Sequence, residues 1–193
     1  MERLSDFLLE SAGRTRRRIQ STTVELRDRR TGQALRVTND GALAGFDLEK
    51  AEWGEGQPHT DGVLVGDLDG EVVVVFVELT GSLSDTPKEA GKETPAQHKL
   101  RQLTGAVRHF HPGRDQRDGD AHHERFASGA DPVEPRPLVA HRVLAIAVAG
   151  RQGSRLPTPP LVIGSATVVR QFRSVSHPPR QVPTISLGDL VNP

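Results

Sequence analysis

The strongest structural signal in the chain is a pair of apolar runs set back to back. Residues 61–80 read DGVLVGDLDGEVVVVFVELT, with GVLVG and VVVVFV on either side of Asp69-Gly70. Asp and Gly both tolerate positive φ, so this pair favours a two-residue hairpin turn. The flanking runs are apolar at nearly every position and not only at alternate ones. That pattern predicts two central strands covered on both faces. Upstream, STTVELRD and QALRVTN alternate around Arg29-Arg30-Thr31-Gly32 and predict a second hairpin, with Val24 and Leu26 on one face and Leu35 and Val37 likewise together. Residues 39–58 show no period and read as irregular, with a helical turn near Phe46–Trp53. Near the start, Leu4, Phe7, Leu8 and Leu9 have helical spacing, which predicts a short amphipathic helix over 3–12.

After the central hairpin, GSLSDTPKEAGKETP reads as a polar, mobile loop. Thr94 and Pro95 then open a helix to about residue 110, with Leu100, Leu103, Val107 and Phe110 as its core stripe. Residues 111–137 hold almost nothing apolar and read as a flexible surface insertion. HRVLAIAVAG (141–150) predicts a buried strand, RQGSRLPTPP a loop, SATVVRQFRSV a last strand and TISLGDLV a short tail. The order predicts an α/β (α+β) domain: a central mixed β-sheet flanked by helices. A length of 193 residues favours one domain over 1–193.

Composition narrows the chemistry. With aromatics at 4%, the core must be aliphatic. The absence of cysteine excludes disulfides, thiol catalysis and Cys-ligated metals. Cations and acids both number 25, so no global field recruits a polyanion and any such binding needs local segregation of charge. No apolar run reaches the ~18–20 residues of a membrane span, and the N-terminus lacks a signal-peptide core. A soluble cytoplasmic protein without a membrane partner is expected. Arginine dominates the cations, as a GC-rich gene would give. Only Lys50, Lys88, Lys92 and Lys99 are lysines, so a mechanism needing an ammonium has few candidates.

The two-residue turn has a chemical consequence. It sets Leu68 opposite Glu71, Val65 opposite Val74, Val63 opposite Phe76 and Asp61 opposite Glu78. Directly opposed side chains share a face with Cβ atoms about 4.5–5.5 Å apart. A three-residue loop would instead set Asp61 against Val77 and turn Glu78 to the other face. Two opposed carboxylates at the end of an aliphatic sheet repel, and a divalent cation converts that repulsion into coordination. Carboxylate oxygens and water suit Mg²⁺ or Mn²⁺. The plain alternative is a pair of strand-end acids reaching solvent.

Three segments carry a family resemblance: Thr60-Asp61-Gly62-Val63-Leu64-Val65, Phe76-Val77-Glu78-Leu79-Thr80-Gly81, and a helix with Ala96-Gln97 and Arg101-Gln102-Leu103. Together with HRVLAIAVAG they resemble the PD-(D/E)XK nuclease superfamily over about residues 60–150. The resemblance implies a restriction-endonuclease-like fold, with Asp61 and Glu78 holding metal. In that superfamily the lysine two residues after the Glu orients or activates the attacking water. Here that position is Thr80. Some members supply the missing group from the following helix, which makes Lys99 the substitute; Lys88 and Lys92 would reach only from a folded-back loop. Gln97 and Gln102 are candidates for positioning water or backbone, and Glu10 for an extra acid. His59, opposite Thr80, is a candidate base or phosphate donor. Arg14, Arg16, Arg17 and Arg18, with Arg27, Arg29 and Arg30, form basic runs able to track phosphates. His109, His111, His122 and His123 match no standard zinc spacing.

The function implied is Mg²⁺- or Mn²⁺-dependent hydrolysis of DNA (or RNA) phosphodiesters by an endonuclease of antiviral defence or DNA processing, working with a larger protein partner or as a homodimer. Thr80 keeps a second reading open: an inactive nuclease-fold subunit serving nucleic-acid binding or assembly.

Overall fold

A computed structural model describes residues 18–47, 60–110, 142–163, 166–175 and 181–192. The expected helix over 3–12 and the insertion 111–137 lie outside these residues. So do Glu10, Arg14, Arg16, Arg17, His59 and the side chain of Arg18. In chain order the elements are β1 (Arg18–Arg27), β2 (Ala34–Asp47), β3 (Gly62–Leu68), β4 (Glu71–Ser84), α1 (Pro95–Phe110), β5 (Arg142–Gly153), β6 (Leu161–Ile163), β7 (Ala166–Ser174), β8 (Thr184–Ser186) and α2 (Leu187–Val191).

The β3–β4 hairpin has the register that a two-residue turn dictates, from Leu68 opposite Glu71 to Gly62 opposite Val77. Asp69 and Gly70 both take positive φ, 54° and 82°, the mirror-image turn whose twist matches paired strands. β1 to β4 form an antiparallel meander. α1 then carries the chain from β4 to β5, which lies parallel to β4 and is followed by parallel β7. The strand order is β1-β2-β3-β4-β5-β7-β6, with β8 added to β2. The fold is thus mixed α+β around mixed sheet pairing. No helix among the described residues is long and apolar enough to cross a membrane.

The sheet is covered on both faces at its centre, as the continuous apolar runs require. On one face Val63, Val65, Val74, Phe76 and Ala145 pack under Ala96, Leu103, Ala106 and Val107 of α1. On the other, Leu64, Val75, Val77, Leu79 and Ile146 pack with Val24, Leu26, Leu35 and Val37 and with Leu187 and Leu190 of α2.

Several boundaries differ from the sequence reading. β2 continues through Asp47, where irregular chain is expected. Asn39-Asp40-Gly41 is a bulge inside the strand and not its end: pairing with β1 slips from Thr23↔Thr38 to Ser21↔Leu43. The bulge is held by Asn39, whose Nδ2 donates to the Asp67 carbonyl at 2.7 Å. β4 and β5 run on together to Ser84 and Gly153, shortening the loops predicted after each. Asp85 ties the two ends, accepting from Ser154 Oγ at 2.7 Å and from the Arg155 main-chain N–H. α1 spans the expected residues, but its buried stripe includes Ala96, Lys99 and Ala106, and Leu100 is only half-buried. Its start is a reciprocal cap, with Gln97 N donating to Thr94 Oγ1 at 3.1 Å and Thr94 N to Gln97 Oε1 at 2.9 Å.

Candidate active site

Three side chains from separate elements meet on the α1 face of the sheet. Asp61 immediately precedes β3 and is 8% exposed. Its Oδ2 accepts from the Leu79 main-chain N–H at 2.6 Å, which fastens the open end of the β3–β4 hairpin. Thr60 beside it is buried, its hydroxyl donating to the Gly62 carbonyl at 3.1 Å. Glu78 stands on β4 at 1% exposure, one position past the Gly62–Val77 pair and therefore level with Asp61.

Lys99, 8% exposed on α1, brings its ammonium onto Glu78 Oε1. A lysine is rarely buried unless paired, and here the pairing is direct. The other oxygen, Glu78 Oε2, is buried with no hydrogen-bond partner among the described residues.

Burial, followed by the Asp61 charge, pushes the Glu78 carboxyl up to about 8, while Lys99 pulls against both. Burial, with the neighbouring Asp61 charge, therefore leaves an acid whose proton is held near neutrality. Asp28 adds a smaller push in the same direction. Burial raises Asp28 itself, but bonds from Thr31 and Arg30 outweigh it and leave that group below the usual range.

The remaining candidates fall differently. Gln102 lies one helical turn beyond Lys99, half-buried, with Oε1 unpartnered among the described residues. Gln97 is committed to the helix cap. Thr80 is half-buried and its hydroxyl donates to the Ser82 carbonyl at 3.2 Å. Lys92 pairs with Glu89 at the surface and Lys88 is exposed, so neither is drawn to the carboxylates. Arg27 is exposed and pairs with Glu25. Asp28 and Thr60 have no site role in the sequence reading: Asp28 closes the alternating segment STTVELRD, and Thr60 enters only as the first residue of the Thr60–Val65 segment.

The unpartnered Glu78 Oε2 and the neighbouring Asp61 carboxylate are hard oxygen donors that fit a Mg²⁺-type cation keeping most of its water. Among the described residues no third His, Asp or Glu completes a cage. No family model, curated protein or solved structure matches this chain.

Proposed function

We propose that this protein is a metal-dependent nuclease of the PD-(D/E)XK kind, hydrolysing DNA phosphodiester bonds at Asp61, Glu78 and Lys99. One observation carries the reading. A lysine from the helix after the Glu strand reaches the Glu, while the position two residues after that Glu holds Thr80. The antiparallel β2–β3–β4 meander followed by α1 and parallel β5 supports a restriction-endonuclease-like core.

Asp61 and Glu78 would hold the cation, which supplies charge neutralisation at a phosphate and acidifies a coordinated water. Lys99 then places a fixed positive charge beside those carboxylates, where an anionic phosphate would otherwise be repelled. Its burial makes that charge strong, because little water screens it. Gln102, with a free acceptor one turn away, is positioned to orient a water molecule. Thr80 contributes no charge, and its hydroxyl is already engaged.

A second reading has its own observation. The Lys99 ammonium already satisfies one oxygen of Glu78 without any cation. The same three residues would then be a structural ion pair in an inactive nuclease-fold subunit.

Calorimetric titration with Mn²⁺ separates the two. Micromolar or tighter binding by the wild type, lost in Asp61→Asn and in Glu78→Gln, is expected of the nuclease site. No binding by any of the three would leave only the structural ion pair.

A further inference from the structure

Charge in this chain is segregated along its length. From residue 135 to residue 188 there are seven arginines and no Asp or Glu; Asp189 apart, every acid lies at or before Glu134. The topology converts that pattern into space. The acid-free segment builds β5, β6 and β7 at one end of the sheet, whereas Glu25, Asp40, Asp67, Asp69 and Glu71 belong to β1–β4 and their turns. Overall neutrality therefore hides one flank whose own strands carry no acid.

That flank adjoins the carboxylate pair. Glu78 is level with Ala147 on β5, and Ala147 with Phe172 on β7. Arg173, one residue further on, turns to the opposite face, where it reaches α2. Arg151 is on the neighbouring strand, four residues past Ala147, roughly 13 Å along it. Arg155 follows in the loop after β5, and it and Arg151 are both exposed. Among the described residues Arg151 has no carboxylate partner, whereas Arg155 has the Asp85 carboxylate beside it, accepting from its main-chain N–H. In α/β sheets the carboxyl ends of parallel strands are the ordinary place for ligands, and Arg151 and Arg155 sit at and just past the end of β5.

We infer that a nucleic-acid backbone bound at the carboxylate pair runs toward the carboxyl end of β5, its phosphates held by Arg151 and Arg155. The distance to Arg151 corresponds to about four base steps at ~3.4 Å each. This inference rests on the reading of Asp61, Glu78 and Lys99 as a site for a nucleic-acid phosphate, and adds the direction in which the substrate extends.

The test is anisotropy of a fluorescein-labelled DNA duplex in EDTA across a salt series. Arg151→Gln/Arg155→Gln should weaken binding about tenfold or more and lower the slope of log K against log salt by about two. Arg27→Gln/Arg36→Gln, on exposed positions of β1 and β2, should change affinity less than about twofold. Both arginines of the first pair are exposed, and the Arg155 main-chain bond to Asp85 survives the substitution, so the fold should persist by circular dichroism. Equal losses in the two double variants, full affinity in the first, or no binding by the wild type would overturn the inference. EDTA separates binding from hydrolysis. A protein that binds through Arg151 and Arg155 but never cleaves with Mg²⁺ would sink the nuclease reading and leave the path standing.

Discussion

The Lys99 ammonium rests on the Glu78 carboxylate across a sequence separation of 21 residues, both groups withdrawn from water. That contact joins α1 to β4 at the level where Asp61 enters β3. Removing one partner of such a pair strands the other in an apolar setting, which ordinarily costs about 3–5 kcal/mol. Glu78 has an escape, because its carboxyl is already raised and can take up a proton. Lys99→Met should therefore destabilise the fold by about 1–3 kcal/mol near neutral pH, less than a typical broken buried pair. Urea unfolding of the variant measures it.

The raised Glu78 gives stability a pH signature. Its ordinary value is 4.5 and its folded value about 8, so between these limits the folded state holds a proton that the unfolded state releases. The contribution of Glu78 is thus fully present below about pH 4.5 and is lost as pH rises through about 8. Each pH unit in that window costs at most about 1.4 kcal/mol. Glu78→Gln should flatten this dependence. Urea midpoints for both proteins over pH 5–9 test it, and parallel curves would contradict the assignment.

Two glycines matter for different reasons, and alanine scanning separates them. A Cβ on Gly45 would fall 2.2 Å from Val24 Cγ1, so Gly45→Ala should cost about 1–3 kcal/mol by overpacking. Val24→Ala should relieve much of that cost in a double-mutant cycle. Gly70 meets nothing within 4 Å but has φ +82°, so Gly70→Ala should cost about 1 kcal/mol from backbone strain alone. No second-site truncation should rescue it.

The α1 cap offers a smaller check. Thr94→Ala removes the acceptor for Gln97 N and should lower stability by about 1 kcal/mol. A melting-temperature shift of a few degrees, with metal affinity unchanged, is expected.

Much of this architecture was legible in the residues. Asp69-Gly70 between two apolar runs favours the two-residue turn, and the observed register, Leu68 opposite Glu71, decides it and brings Asp61 level with Glu78. β2 was cut short because Asn39-Asp40-Gly41 has the composition of a turn, and a bulge inside a strand uses the same residues. Lys99 was legible as chemistry but not as burial. Hydrophobic periodicity counts Leu100 toward the core and leaves a lysine outside it, although the helix actually turns Ala96, Lys99 and Leu103 inward. Thr80 was placed beside the water by its sequence offset alone. Its hydroxyl instead closes on Ser82, a local bond that no spacing rule reveals.

Single-turnover cleavage of single- and double-stranded DNA with Mg²⁺ or Mn²⁺ tests the central claim most directly. The wild type should cut, and Asp61→Asn, Glu78→Gln and Lys99→Met should each lose at least about a hundredfold, the scale of one removed electrostatic stabiliser. Lys99→Met should still bind Mn²⁺, and adding Thr80→Lys to it should recover part of the rate by returning an ammonium to the strand. Cutting that survives Glu78→Gln, or a wild type that binds Mn²⁺ and never cuts, would contradict the account.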